Sequence, residues 1–149
     1  MSVVLRPARS TDAGTTGSIL QAFCTDTPWM PVLHTGAETV SFCGSMIDRG
    51  WVTVAEENGR VVGFIARDGE WINALYLALD FTGQGIGLQL LNSAKAGTDR
   101  LRLWTFQANS GAQAFYEREG FVETERTDGA GNDENLPDIA YLWTKEAHA

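Results

Sequence analysis

The sequence is poor in the features that mark secreted, membrane-spanning and disulfide-stabilised proteins. It has two cysteines, Cys24 and Cys43, which are too few for a disulfide framework, so we expect two reduced thiols. No apolar run approaches the roughly 18 residues that a membrane span needs, and the N-terminus lacks the charged and then apolar segments of a secretory signal. These absences predict a cytoplasmic protein that does not bind a membrane.

Basic residues are also scarce relative to acidic ones. The chain has 11 Lys and Arg against 19 Asp and Glu, a formal net charge of −8 at pH 7. This charge argues against a nucleic-acid partner and favours a cationic small molecule or peptide. An anionic ligand would therefore have to bind through local backbone amides. The length of 149 residues and the 44% of apolar residues predict a single domain over residues 1–149.

The sequence does contain a glycine-rich junction near its middle. An apolar run ends at Leu79, glycines follow at Gly83, Gly85 and Gly87, and an apolar-periodic segment begins at Ile86. The pattern predicts a strand, a tight turn and a helix. The first amides of such a helix lack intrahelical partners and lie at its positive end, which suits the turn to binding a phosphate. A plain strand-to-helix connection is the alternative.

The amino-acid sequence of this turn does not match either of two common classes of phosphate-binding loop. A P-loop has Lys followed by Ser or Thr after its last glycine, whereas Leu88 and Gln89 follow Gly87. A dinucleotide-binding fingerprint has two residues between its second and third glycines, whereas only Ile86 separates Gly85 from Gly87. The turn therefore belongs to neither class.

The rest of the sequence predicts the order of the secondary structure. Apolar alternation predicts strands, helical periodicity with capping residues predicts helices, and Asn58-Gly59 predicts a tight hairpin turn. The order is β-α-α-β-β-β-α-β-α-β-β, an α/β (mixed α+β) arrangement. It predicts a twisted mixed sheet of six to seven strands with helices on both faces. The predicted strands are Val3–Pro7, Trp51–Ala55, Val61–Ala66, Trp71–Leu77, Leu101–Phe106, Phe121–Arg126 and Ile139–Thr144, and the helices are Asp12–Cys24, Gly36–Arg49, Gly85–Ala96 and Ser110–Glu119.

A second motif follows the glycine turn. The segment Asn109–Phe121 reads N-S-G-A-Q-A-F-Y-E-R-E-G-F, in which Asn109 is expected to cap a helix that Gly120 ends. Together with Leu75–Ala94, this segment resembles the GNAT superfamily of acyl-CoA-dependent N-acyltransferases, and the order of elements resembles that fold over nearly the whole chain. The resemblance implies a split sheet, with acetyl-CoA bound where strands Trp71–Leu79 and Leu101–Phe106 separate.

The resemblance also assigns cofactor-binding residues. Gly85-Ile86-Gly87 supplies the family's glycines in register, but Thr82 stands where the family has Arg or Gln, and Gln84 is a candidate to compensate. Backbone groups of Leu77 and Leu79 are expected to pair with the pantetheine arm, and an amide there to polarise the thioester carbonyl. No metal site is expected. The implied cofactor-binding set is Leu77, Leu79, Thr82, Gly83, Gln84, Gly85, Ile86, Gly87, Asn109 and Tyr116.

Two residues are expected to handle protons. A primary amine with a pKa of about 10.4 is protonated at pH 7, so a base or water must deprotonate it, and the leaving thiolate needs a proton. By resemblance Tyr116 is the general acid, the alternative being an aromatic that only packs. The family often has Glu where this chain has Asn73, so His34 is the candidate base, the alternative being a histidine within a surface loop. Met30–Thr35 and, with a one-residue difference, Asn132–Trp143 resemble one branch of the superfamily.

The acceptor is expected to be a primary amine on a small molecule or peptide, attacked directly in a ternary complex. Its identity stays open between a protein N-terminus, a lysine, a polyamine, an aminoglycoside and an amino acid. The acidic run Asp128–Asn135 either closes over a cationic acceptor or is a solvated connection. Alternative functions are a non-catalytic acyl-CoA-binding module and a general nucleotide binder, and the edge of the C-terminal strand suggests a homodimer. Candidate acceptor contacts are Trp29, His34, Asn73, Asp138 and Tyr141, with Trp71 and Tyr76 as further aromatic walls.

Overall fold

The computed structural model describes residues 3–148, which form one seven-stranded sheet with helices on both of its faces. The predicted order of strands and helices is confirmed, with boundaries that shift by at most two residues. The strands are β1 (Val4–Pro7), β2 (Val52–Glu57), β3 (Arg60–Asp68), β4 (Trp71–Leu77), β5 (Arg100–Phe106), β6 (Val122–Thr127) and β7 (Asp138–Thr144). The α-helices are α1 (Ala13–Asp26), α2 (Gly36–Asp48), α3 (Ile86–Ala96) and α4 (Ser110–Arg118).

Local sequence explains where several of these elements begin and end. Helix α2 begins after Thr35, whose hydroxyl accepts a hydrogen bond from the Glu38 amide at 3.1 Å while the Glu38 carboxylate accepts one from the Thr35 amide at 2.9 Å. This reciprocal pair satisfies two backbone donors that the helix would otherwise leave open. The β2–β3 hairpin turns at Asn58 and Gly59, both at positive φ (51° and 78°), as the Asn-Gly pair predicts.

The sheet is split at its one parallel pair of neighbours. The strand order is β1-β2-β3-β4-β5-β7-β6, and every neighbouring pair is antiparallel except β4 with β5. In the described residues, β4 and β5 pair in the single register Trp71 with Arg102. The amide of Arg102 also donates to the Glu70 carbonyl at 2.7 Å. Beyond this point the strands separate, so the remainder of β4 presents an open backbone edge to a gap.

Two apolar clusters cover the two faces of the sheet. Strand residues alternate between them, so that Phe64 packs with α1 and α2 while its neighbour Ile65 packs with α3 and α4. Both clusters contain residues with essentially no exposed surface, such as Phe64 and Leu90. The prediction of helices on both faces is therefore confirmed.

The position of the C-terminal strand differs from the expectation. Strand β7 pairs with β5 on one side and with β6 on the other, so it is an inner strand, and β6 forms that edge of the sheet. The suggested dimer contact through an exposed C-terminal strand is therefore wrong. The reason is topological, because β6 and β7 form a hairpin that returns to pair with β5. None of the helices in residues 3–148 is long and apolar enough to cross a membrane.

Candidate active site

The gap between β4 and β5 forms a cavity of about 230 Å³, which we call the gap. Its walls come from β4, β5, α1, α4 and the turn after β4. The split that opens it is the feature that the resemblance implied. Six of the sequence-predicted site residues line the gap: Asn73, Leu77, Leu79, Thr82, Asn109 and Tyr116.

A β-bulge lies at the point where the sheet begins to split. Ala66 pairs with Ala74 and Arg67 pairs with Ile72, so Asn73 is an extra residue without a partner on β3. A bulge bends its strand and redirects side chains, and bulges are common next to active sites. Asn73 is exposed and reaches both the gap and a neighbouring cavity. Its position therefore agrees with a contact to the donor or the acceptor.

The glycine turn has the backbone geometry that its sequence suggests. Gly83 and Gly85 adopt φ of 77° and 81°, a left-handed conformation that side-chain-bearing residues rarely adopt. Gly85 is the N-cap of α3 and has no side chain with which to cap it. The first intrahelical bond runs from the Gln89 amide to the Gly85 carbonyl at 3.1 Å. The three amides before it have no partner within the helix and are suited to holding an anion.

The side chains of Thr82 and Gln84 do not supply a positive charge to this turn. The Thr82 hydroxyl donates to the Leu79 carbonyl at 3.2 Å, and the Gln84 amide donates to the Asp80 carbonyl at 3.3 Å. Both side chains thus stabilise the turn that follows β4. Ile86 is 1% exposed and packs in the core, so it contributes only its backbone. Anion binding here would depend on main-chain amides.

Helix α4 brings two predicted residues to the gap. The Asn109 side-chain oxygen accepts a hydrogen bond from the Ala112 amide at 3.0 Å, which confirms its capping role. Tyr116 is 8% exposed, and its ring packs edge-on against Phe115 and Phe121 with centroid distances of 5.2 and 5.3 Å. Burial raises the pKa of Tyr116 well above its usual value. The phenol is therefore fully protonated at neutral pH.

A second cavity of about 380 Å³, which we call the side cavity, adjoins the gap. The segment between α1 and α2, the segment between β6 and β7, and residues of α1, α2, β4 and β5 form its walls. His34 and Glu38 are exposed residues of its rim. His34 lines this cavity and not the gap. The two cavities share Asn73, Ala74, Tyr76, Trp104 and Phe106.

A third cavity of about 560 Å³, which we call the loop cavity, lies on the other side of the β6–β7 segment. Asp138 lines it, but its carboxylate is occupied by hydrogen bonds from the Thr127 hydroxyl and from the Asn132 amide, the latter at 3.1 Å. Asp138 therefore holds the ends of the β6–β7 segment together. Its predicted role as an acceptor contact has no support from this arrangement.

Two predicted aromatic contacts lie outside the cavities. Tyr141 is 1% exposed on the α3–α4 face of the sheet, where its hydroxyl donates to a Glu117 carboxylate oxygen at 2.7 Å. Strand alternation places it there, on the face opposite to α1 and α2, so this position gives no support to the predicted acceptor contact of Tyr141. Trp29 packs between Phe23 and Phe106, at 6.4 and 5.8 Å, and so supports the gap wall from behind.

The structure also shows which other aromatic residues form the site. Tyr76 lines the gap and the side cavity, whereas Trp71 lines neither. Burial, followed by the charges of neighbouring groups, raises the pKa of Tyr76. Trp104 and Phe106 line all three cavities, although the sequence indicates them only as residues of a strand. The sequence signal that could have identified them is a pair of large aromatic residues at alternate positions of β5, the strand that the split leaves open.

The geometry agrees with a match to a known family. Residues 48–123, about half of the chain, match the sequence model described as the acetyltransferase (GNAT) domain. This range contains the bulge, the glycine turn and Tyr116. The chain belongs to the GNAT acetyltransferase family. Among residues 3–148, no group of three His, Cys, Asp or Glu side chains is placed to hold a metal ion.

Two curated relatives are named as N-acetyltransferases. An uncharacterized N-acetyltransferase of Methanocaldococcus jannaschii is 38% identical over 92 residues, which cover 51% of this chain and 41% of the relative. The peptidyl-lysine N-acetyltransferase YjaB of Salmonella typhimurium is 35% identical over 78 residues, which cover 52% of this chain and 53% of YjaB. The chain thus matches about half of the length of these relatives.

Solved GNAT structures share the fold over nearly the whole chain. The solution structure of apo-form YjaB from Escherichia coli has a TM-score of 0.79 at 22% identity and covers 96% of this chain and 98% of that one. The structure of YncA from Salmonella typhimurium with its cofactor acetyl-CoA has a TM-score of 0.75 at 18% identity, with 100% and 97% covered. The GNAT fold is therefore established for this chain.

Acetyl-CoA is the cofactor that membership of this family implies, and the described residues fit it. The unpaired amides at the start of α3 suit its pyrophosphate, and the open edge of β4 beyond Trp71 can pair with the amide groups of its pantetheine arm. The buried Tyr116 phenol lines the same gap. These backbone donors are present although Thr82 stands where the resemblance gave Arg or Gln.

Proposed function

We propose that this GNAT protein is an acetyl-CoA-dependent N-acetyltransferase that acetylates a primary amine, in the first instance the side-chain amine of a peptide lysine. The observation that carries the proposal is that Tyr116, a phenol kept protonated by burial, lines the gap together with the open edge of β4 and with Thr82, the residue that precedes the glycine turn. An acyl-CoA-binding module without activity would have no use for a proton donor at this position.

Each part of the gap has a proposed binding role. The amides of Gly85, Ile86 and Gly87 would bind the pyrophosphate, and the backbone of Leu77 and Leu79 would pair with the pantetheine arm. Gly83 shapes the turn, whereas Thr82 and Gln84 brace it through their bonds to the preceding backbone. Asn109 uses its side-chain oxygen for the helix cap and retains its amide hydrogens for the cofactor.

The proposed chemistry needs one proton donor and one proton acceptor. Bound acetyl-CoA supplies an acetyl group activated as a thioester, with a thiol as the leaving group. Tyr116 would donate its phenolic proton to the leaving sulfur. Because its pKa lies above that of a thiol, the phenol is fully protonated when the reaction begins.

His34 is the proposed acceptor of the amine proton. It lines the side cavity rather than the gap, so it would act through water at the cavity rim. Replacing His34 with Gln should remove the acid-side limb of the pH–rate profile. An unaltered limb in that variant would assign deprotonation to water alone or to another group.

The proposed acceptor class follows from charge and from similarity. The protein carries a net charge of −8, and carboxylates lie among the side-cavity residues, which favours a cationic amine. YjaB, a relative named a peptidyl-lysine N-acetyltransferase, makes a peptide lysine the first acceptor to test. We further propose a cytoplasmic protein, in keeping with this class of substrate.

A panel assay tests the proposal. Thiol release from acetyl-CoA would be measured with lysine peptides, polyamines, aminoglycosides and amino acids, and binding of coenzyme A would be measured separately by calorimetry. We expect turnover with lysine peptides. Binding of coenzyme A without turnover of any amine would contradict the enzyme and favour the binding module. Competition of coenzyme A by ATP or NAD would favour a general nucleotide binder.

A further inference from the structure

Glu134 lies where an acceptor amine would enter the gap. It belongs to the segment between β6 and β7 and lines the side cavity together with Asn73 and Tyr76, both of which also line the gap. Its negative charge contributes to raising the pKa of Tyr76 and of Cys24, which line the same cavity. The Glu134 carboxylate thus belongs to a cavity that shares residues with the gap.

The segment that carries Glu134 is held in place by hydrogen bonds. The Asn132 side-chain amide donates to the Leu136 carbonyl at 2.8 Å and to the Asp138 carboxylate at 3.1 Å, while its oxygen accepts from the Leu136 amide at 3.2 Å. Gly129 packs so closely against Leu136 that a Cβ there would overlap the Leu136 backbone. The acidic run is thus a folded turn, and a fixed turn can present Glu134 in a defined position.

The acceptor has room on both sides of Glu134. Glu134 lines the side cavity and also the loop cavity, and Trp104 and Phe106 line both of these and the gap. The three cavities therefore meet at these aromatic side chains. An extended peptide can cross this junction with one flank in each outer cavity, whereas a small amine would leave both flanks empty.

The rim of the side cavity exposes three large apolar side chains. Val32, Leu33 and Phe42 are 56%, 46% and 50% exposed, and all three line this cavity. Large apolar groups gathered at a cavity that also contains carboxylates mark a binding surface. Their chemistry suits an apolar side chain of the acceptor, next to the cationic group that Glu134 attracts.

We infer that Glu134 binds the ammonium group of an acceptor lysine, and that the apolar rim formed by Val32, Leu33 and Phe42 binds a large apolar side chain next to that lysine. The inference rests on the proposed acetyltransferase function and names its preferred substrate: a lysine flanked by a large apolar residue in an extended peptide. Glu134 acts here in binding, because the proton of the amine leaves by way of His34 or water.

The first test concerns Glu134. Steady-state kinetics would compare wild type, Glu134→Gln and Asp128→Asn with blocked peptides of sequence Gly-Gly-Lys-Gly-Gly and Gly-Leu-Lys-Leu-Gly. Asp128 is the matched control, because it belongs to the same segment and is exposed. We expect Glu134→Gln to raise KM for both peptides about tenfold with kcat nearly unchanged, and Asp128→Asn to leave both constants nearly unchanged.

Two other outcomes separate the failure of this inference from that of the proposed function. If wild type acetylates the peptides and Glu134→Gln has the same KM, the binding role of Glu134 is wrong while the acetyltransferase stands. If wild type acetylates no amine although it binds coenzyme A, the proposed function fails and this inference fails with it.

The second test concerns the apolar rim. Wild type should prefer the leucine-flanked peptide by about tenfold in kcat/KM, as expected for burying one large apolar side chain. Val32→Ala should reduce this preference severalfold. The same change at Val122, which is 66% exposed on β6, should leave it intact. The role of the rim would be wrong if wild type had equal kcat/KM for both peptides. It would also be wrong if the protein formed a concentration-dependent dimer that Val32→Ala abolished without changing KM.

Discussion

The gap and the side cavity are adjoining regions of one site, but they are built from different parts of the chain. The donor side includes much main chain: the open edge of β4 on the gap and, after Thr82 of the gap wall, the left-handed turn at Gly83 and Gly85 and the first amides of α3. The side cavity is lined by side chains from helices, strands and two irregular segments, among them His34 and Glu134.

This difference indicates what each region can recognise. Main-chain amides at a helix start can bind an anion without a cationic side chain, so we expect the gap to tolerate Thr82 where the resemblance gave Arg or Gln. Recognition in the side cavity depends on individual side chains, such as a carboxylate or an exposed Val. The donor side is therefore expected to share its chemistry with relatives, and the acceptor side to be particular to this protein.

The largest expected effect is the fall in kcat on replacing Tyr116, whose side chain lines the gap. Tyr116→Phe should lower kcat about 100-fold, because general acid catalysis typically contributes that much or more, with little change in KM for acetyl-CoA. The measurement is thiol release at saturating substrates. A kcat equal to that of wild type would show that Tyr116 only packs beside the gap.

Tyr141→Phe is the matched control for this prediction. Tyr141 is equally buried, but it lies outside the gap and donates its hydrogen bond to Glu117. We expect an unchanged kcat and a free energy of unfolding lower by about 1 kcal/mol, the usual cost of one lost hydrogen bond. A fall in kcat matching that of Tyr116→Phe would mean that the assay reports stability rather than catalysis.

The same contrast explains how much of the fold could be predicted from the sequence. Strands and helices follow from local periodicity, and caps such as Thr35 and Asn109 are local hydrogen bonds, so element order and boundaries were predicted closely. The inner position of β7 was missed, because the pairing of β7 with β5 joins residues far apart in sequence. No local pattern specifies such a pairing.

The site residues show the same division between features that local motifs predict and features that they do not. Gly85, Asn109 and Tyr116 belong to spaced motifs, and the structure brings them to the gap or its turn. The bulge at Asn73 could not be predicted from the sequence, because any residue type can form a bulge. The face on which Tyr141 lies could not be predicted, because an alternating strand gives two faces without indicating which of them meets the acceptor.

A glycine substitution should weaken the backbone-built region. Gly85→Ala forces a side chain into a left-handed conformation, which costs about 1–2 kcal/mol, and it disturbs the amides at the start of α3. We expect KM for acetyl-CoA to rise about tenfold and KM for the amine to stay the same. Gly14→Ala in α1 is the control, because nothing lies within 4 Å of its new Cβ. An equal effect of both changes would contradict the role of the turn.

A loop substitution should affect only the acceptor side. Asn132→Ala removes the bonds that hold the turn carrying Glu134, so KM for a lysine peptide should rise about fivefold while KM for acetyl-CoA stays constant. Asn92→Ala, on the exposed side of α3, should change neither constant. A rise in KM for acetyl-CoA in Asn132→Ala would show that the two regions are coupled rather than independent.

The smallest expected effect is the absence of an alkaline limb in the pH profile. A free phenol loses its proton near pH 10, and burial raises the pKa of Tyr116 above that value, so the acid form persists to higher pH than in an exposed tyrosine. Loss of activity through this group therefore begins only above about pH 10.

With both substrates saturating, kcat should fall less than about twofold between pH 7 and pH 9.5, while circular dichroism at each pH confirms a folded protein. A falling limb centred at pH 9 or below would mean that an acid other than the buried Tyr116 phenol protonates the thiolate, and the gap would then depend on a side chain that has not been identified.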